Sequence, residues 1–191
     1  MGEHAERLAR GEWYLDDPEL QERRLRCRRL LDDFNSAGAD EDDERHRALT
    51  SMLGHVGADV EVVPRFQCTY GAHVRLDDGA FVNANAFFMD DAAITVGAHA
   101  RLGPGAQLMT ALHPIDDHAR RREGWERALP ISIGENCWLG ASVTVGAGVS
   151  IGRNTVVGAG SLVLRDLPDH VLAVGSPARI IRTLPPEDGP R

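Results

Sequence analysis

From Ile133 onward an apolar residue returns every six positions, at Ile133, Leu139, Val145, Ile151, Val157 and Val163, and glycine follows the first five of them. The same spacing runs earlier through Leu76, Val82 and Phe88, slips by two residues, and resumes at Val96, Leu102 and Leu108. A period of six matches neither a helix nor a plain hairpin. It matches one short strand and one turn per unit, with a single side chain in each unit directed to a shared axis and small residues letting the chain bend. A Gly/Val-rich sandwich with fortuitous spacing is the competing reading, and six consecutive hits count against it. Each unit can bury its apolar side only against its neighbours, so the pattern predicts a stacked solenoid over residues 58–184.

Between Leu108 and Ile133 the phase is lost by one residue, so "TALHPIDDHARRREGWERALP" must leave the coil as an excursion loop at about 111–130. Long loops on rigid scaffolds tend to carry function. Ahead of the solenoid, residues 1–57 read as helical. Asp17-Pro18-Glu19 has the form of a helix start, and Leu20, Cys27, Leu30, Leu31 and Phe34 then recur on one stripe. A second helix is predicted from about Glu41 to Leu53, with Leu49, Met52, Leu53 and Val56 on one face. The acidic stretch between the two helices reads as solvated, and residues 185–191 as a tail.

Composition narrows the function classes. A net charge of -8 argues against nucleic-acid binding by overall electrostatics. All 21 basic residues are arginine, which excludes chemistry that needs a lysine amine: Schiff bases, pyridoxal phosphate, the phosphate-binding P-loop. Cys27, Cys68 and Cys137 are widely spaced and odd in number, so neither a disulfide framework nor a thiolate zinc site is expected. No stretch approaches the ~18 apolar residues of a membrane span, and the first twenty residues carry charge where a secretion signal would be apolar. The expectation is a cytoplasmic chain without membrane or nucleic-acid partners.

Five stretches carry a resemblance. "GEWYLDDPELQERRLRCRRLLDDFN", "NANAFFMDD", "HPIDDHAR", "GENCWLGASVTVGAGVSIG" and "VGSPARIIR" resemble, in order, successive blocks of the maltose/galactoside O-acetyltransferase family, from about residue 6 to 184. The resemblance implies a mainly β fold: a left-handed parallel β-helix of hexapeptide repeats with an N-terminal α-helical segment. The handedness rests on the resemblance alone, since crossovers in parallel sheets are generally right-handed. It also implies acetyl-CoA as co-substrate, a sugar or similar polyol as acceptor, direct transfer, and a homotrimer with each site built between two coils. A monomeric solenoid is the alternative, although so short a one leaves flat walls exposed.

By position the resemblance makes His113 the catalytic histidine, whose imidazole draws the proton from a weakly nucleophilic alcohol. His118 falls where relatives tolerate other residues. Glu126 would hold His113 in its productive tautomer, or is a surface carboxylate. Asp16, Thr69, Asn83 and Asp91 match acceptor-contacting positions; Asp91 can also be read as a turn residue and Asp16 as part of a helix start. Thr69 stands where relatives carry serine or aspartate, and Leu112 where they carry a smaller or hydroxylated residue.

For the cofactor, Ala141 and Ala159 match positions against the pantetheine arm, a backbone N–H near Ala141 could serve the oxyanion, and Trp138 matches a tryptophan of the site wall. Arg165, Arg179 and Arg182 match basic positions near the nucleotide phosphates, with Leu164 in place of a threonine. Small coil residues such as the two alanines are equally packing choices. No metal is expected, yet γ-class carbonic anhydrases share this β-helix and use three histidines, two of them five residues apart as His113 and His118 are. Such a site needs a third ligand. Asp77 is the nearest candidate, and His73 lies off register.

Overall fold

The hexads stack into three parallel sheets that form the walls of a prism. The structure is a computed structural model and describes residues 2–186, so all but the first two residues of the expected tail lie outside the described residues. The first wall consists of β1 (His55–Val56), β4 (Val74–Leu76), β7 (Ile94–Val96), β12 (Ile131–Ile133) and β15 (Ser150–Ile151). The second consists of β2 (Glu61–Val62), β5 (Phe81–Val82), β8 (Arg101–Leu102), β13 (Trp138–Leu139), β16 (Val156–Val157) and β18 (Val171–Val174), with β19 (Arg179–Thr183) closing its edge antiparallel to β18. The third consists of β3 (Phe66–Cys68), β6 (Ala86–Met89), β9 (Gln107–Met109), β14 (Thr144–Val145) and β17 (Leu162–Val163). The chain visits the walls in the order first, second, third, making a parallel β-solenoid with one hexad to a wall.

Every hexad residue named above is buried, and together they form one continuous core. The residue after each inward side chain turns a corner. There the backbones of successive coils meet, which is why glycine recurs: a Cβ on Gly103 would lie 2.7 Å from the Ala141 amide nitrogen.

The breaks in the hexad phase all fall at one corner. Cys68 to Leu76 and Phe88 to Val96 each span eight residues instead of six, and Leu108 to Ile133 contains the loop. Each break lies between the third wall and the first. Three successive coils are therefore enlarged on the same side of the prism.

The N-terminal segment covers the open end and one flank. It comprises α1 (Glu3–Ala9), α2 (Pro18–Ser36) and α3 (Asp42–Met52). Asp17 caps α2 by accepting the Leu20 N–H at 2.8 Å. Cys27, Leu31 and Phe34 of α2 pack on the solenoid core with Leu49 and Met52 of α3. Phe66 meets both Phe34 and Phe88 edge to face, which plugs the first coil. Val56, expected on the second helix face, belongs instead to β1, so the solenoid starts at His55. Among the described residues no helix is long and apolar enough to cross a membrane.

Candidate active site

The enlarged corner gathers polar groups. Thr69 follows β3, Asp90 and Asp91 follow β6, and Thr110 follows β9, one above another. The coils are tied here by the Thr69 N–H donating to the Phe88 carbonyl at 3.2 Å and the Thr110 N–H donating to the Met89 carbonyl at 3.1 Å. Asp90 is fully buried and accepts from the Thr69 and Tyr70 amides, both at 2.8 Å. Burial pushes its carboxyl up to about 6 in spite of those bonds. Asp91 is 6% exposed, and burial raises its carboxyl too.

Asp16 reaches this corner from the segment between α1 and α2. Arg24 donates to Asp16 Oδ1 at 2.5 Å and to the Tyr70 hydroxyl at 2.8 Å, linking helix and coil. Gln21 donates to Asp16 Oδ2 at 3.0 Å. Partial burial works against ionisation of Asp16, but these donors prevail and hold it below the usual carboxylate range.

His113 enters from the loop. The loop is not irregular throughout: β10 (Ala111–Leu112) pairs antiparallel with β11 (Arg127–Ala128), and a short helix, α4 (His118–Glu123), starts on an Asp117 cap and ends at Gly124 in the left-handed conformation. At the base of this hairpin His113 Nδ1 lies 3.0 Å from the Trp125 carbonyl oxygen. A carbonyl only accepts, so Nδ1 carries the proton and Nε2 is left with a free lone pair. Nε2 is 3.7 Å from Glu126 Oε1, close for an ion pair but beyond a hydrogen bond. The orienting bond expected of Glu126 thus comes from the neighbouring backbone carbonyl, and Glu126 lies at the opposite nitrogen.

His118 is exposed, and its Nδ1 accepts from Arg121 at 2.7 Å. Among the described residues no group of three His, Cys, Asp or Glu side chains is placed to hold a metal ion.

Six expected residues lie elsewhere, along the second wall and its corner with the third. Ala141 and Ala159 are exposed there on successive coils, and Asn83 lies at the same corner with the Gly103 coil between it and Ala141. Asn83 Oδ1 accepts the Ala84 N–H at 2.7 Å, leaving its NH2 group as a donor. Trp138 projects outward from β13 and is 58% exposed, in keeping with a groove position. Arg179 and Arg182 are exposed on β19. Leu164 and Arg165 return to the first-mentioned corner, two coils beyond the loop. Arg165 and Arg179 line one cavity of about 380 Å³ with Leu164, Pro177 and Ile180, while Arg182 lies outside it.

The third wall, one strand long, therefore separates Asn83, Ala141 and Ala159 from Thr69, Asp91 and His113 within a chain. Trp125, Arg24, Tyr70 and Tyr14, which shape the corner, were not evident from the sequence. Trp125 acts through its carbonyl, which leaves no side-chain signal, and the other three bond across large sequence separations.

Fold and site together define a hexapeptide-repeat acetyltransferase. Residues 7–57 match the maltose acetyltransferase hexapeptide capping motif and residues 130–165 the bacterial transferase hexapeptide (six repeats). Galactoside O-acetyltransferase of Escherichia coli is 35% identical over 184 residues, covering 96% of this chain and 90% of that protein. The crystal structure of a maltose O-acetyltransferase from Clostridium difficile superposes with a TM-score of 0.94 at 35% identity, covering 96% of this chain and 98% of that one. A hexapeptide-repeat acetyltransferase of Vibrio cholerae, complexed with acetyl coenzyme A, gives a TM-score of 0.89 at 34% identity over 97% of this chain and 100% of its own. The chain belongs to the maltose/galactoside O-acetyltransferase family.

Proposed function

We propose that this protein moves an acetyl group from acetyl-CoA to a hydroxyl of a sugar or similar polyol, with His113 as general base. The observation that carries the reading is the bond between His113 Nδ1 and the Trp125 carbonyl, because it leaves Nε2 unprotonated on a ring whose side chain is 53% exposed. In the transfer, Nε2 takes the hydroxyl proton as the alcohol oxygen attacks the thioester carbon. The carbon–sulfur bond then breaks, and the imidazolium returns its proton to the departing thiolate. Glu126 stands where its charge favours the imidazolium.

Asp16, Thr69 and Asp91 are placed on one side of the acceptor and the Asn83 amide on the other, offering acceptors and a donor to several hydroxyls. Ala141 and Ala159 form an open ledge suited to the pantetheine arm, with Trp138 beside it, and the Ala141 N–H is a candidate for the oxyanion. Arg165 and Arg179 share a cavity suited to the nucleotide phosphates, with Leu164 at its wall and Arg182 on the adjoining strand. Because Asn83, Ala141 and Ala159 sit at a different corner from Thr69, Asp91 and His113, the reading calls for two copies: the His113 corner of one protomer against the Ala141 corner of the next, in a homotrimer.

A covalent acetyl-cysteine route fits less well. Cys137 is buried, its thiol donates to the Gly152 carbonyl at 3.0 Å, and burial pushes it up to about 11. Such a thiol is rarely a thiolate. The test is an acceptor screen that follows free thiol release from acetyl-CoA, run beside His113→Ala. Turnover with at least one polyol, lost by 100-fold or more in the variant with CoA binding retained, is the expected result. Undiminished turnover in His113→Ala would overturn the base assignment, and binding without turnover on every acceptor would overturn the enzymatic reading.

A further inference from the structure

Tyr14 sits in the link between α1 and α2, is 1% exposed, and reaches the site from 112 residues away. Its backbone forms an isolated antiparallel bridge with Glu126: the Tyr14 N–H donates to the Glu126 carbonyl at 2.8 Å, and the Glu126 N–H to the Tyr14 carbonyl at 2.9 Å. Its hydroxyl oxygen lies 3.0 Å from Asp91 Oδ1 and 2.9 Å from Glu126 Oε2. The other oxygen of Glu126 is the one that faces His113 Nε2.

A phenol brings one hydrogen, so the hydroxyl donates fully to only one of the two carboxylates at a time. Asp91 is the deeper of the two acids, and burial raises its carboxyl, the charge of Glu126 adding to this while the Tyr14 hydroxyl works against it. Burial, followed by the charges of Asp91 and Glu126, likewise raises the phenol far above its ordinary range, so it stays protonated. The Tyr14 hydroxyl is the donor within reach of both carboxyls, and its contact with Glu126 is the shorter.

We propose that Tyr14 is a positioning residue: through its hydroxyl it fixes the Glu126 carboxylate toward His113 Nε2 and ties that carboxylate to Asp91 on the acceptor side. The proposal rests on the reading of His113 as base. It also gives the capping segment a part in the reaction beyond packing, since the strand-like link carrying Tyr14 sets the height of the hairpin on which both His113 and Glu126 stand. Nothing in the bond pattern involves the nucleotide end of the site, so the effect belongs to kcat and not to acetyl-CoA binding.

The test is a double-mutant cycle on the full-length protein with Tyr14→Phe and Glu126→Gln. Tyr14→Phe keeps the buried ring and the backbone bridge, and should lower kcat roughly tenfold with the KM for acetyl-CoA unchanged, the loss expected for one hydrogen bond to a charged group. Glu126→Gln leaves Tyr14 in place and should give a similar loss, and the double variant should fall no further than Glu126→Gln alone. A purely structural Tyr14 would instead give additive losses. Additivity, or kcat at the native level in either single variant, overturns the proposal. Retained turnover in His113→Ala sinks the base reading itself, whereas an inactive His113→Ala beside a fully active Tyr14→Phe sinks only the role of Tyr14.

Discussion

Gly140 and Ala159 meet across neighbouring coils so closely that a Cβ built on Gly140 would lie 2.6 Å from the Ala159 amide nitrogen. The obstacle is backbone, which cannot swing aside as a flexible side chain would. Gly140→Ala should therefore push two coils apart and cost about 1–3 kcal/mol, the usual range for overpacking a well-filled site. Chemical denaturation of the variant beside the native protein measures it, and an unchanged midpoint would show that the corner can yield.

The sequence revealed the coils because their signal is local. Each inward side chain, from Leu76 to Val163, is specified within its own hexad, and the lost phase after Leu108 marks the loop that carries His113, whereas Asp91 and the choice of His113 come from the family resemblance. A seven-residue helix such as α1 has too few turns to show a stripe, so it passed unnoticed. The position in a hexad also tells that Asn83 and Ala141 turn a corner, but not which corner faces His113, because that depends on how prisms meet. The tautomer of His113 was hidden for a different reason: it is set by a main-chain oxygen, which every residue possesses.

Asp16 and Asp17 are adjacent carboxylates with different work. Asp17 closes the first turn of α2, so Asp17→Ala should lower stability by about 1 kcal/mol and leave turnover near the native level. Asp16 is held ionised by Arg24 and Gln21 at the enlarged corner, and on the proposed contact with the acceptor Asp16→Asn should raise the acceptor KM roughly tenfold without changing the KM for acetyl-CoA. Thermal melts and steady-state kinetics on the two variants separate the roles, and exchanged effects would refute the assignment.

Asp90 makes stability depend on pH in a particular direction. Its folded carboxyl titrates at about 6, above the ordinary value, so between about pH 4 and 6 the folded chain keeps a proton that the unfolded chain has lost. Raising the pH through that window removes stability, by up to about 3 kcal/mol from this group. Asp90→Asn keeps an oxygen for the Thr69 and Tyr70 amides and does not titrate. The variant should gain on the native protein between pH 4.5 and 7.5, measured by urea midpoints at one protein concentration. A constant difference between the two proteins across this range would contradict the assignment.

His113 and Asn83 supply the sharpest test of a site shared between copies. Neither His113→Ala nor Asn83→Ala homo-oligomers would contain an intact site. In oligomers assembled from equal amounts of both, a contact is intact when a chain retaining His113 presents it to a chain retaining Asn83. Random assembly in a closed ring makes about a quarter of all contacts so, and one contact of the three in every mixed trimer, so the mixed species should recover to about a third of the native rate. If one chain supplied both residues, no mixed contact could be intact, and mixing would restore nothing. Equal-ratio co-expression with two distinguishable tags, followed by assay of the doubly tagged species, decides between these outcomes. Recovery would place the reaction in the cleft between prisms, where the enlarged corner of one coil stack meets the glycine-rich corner of the next.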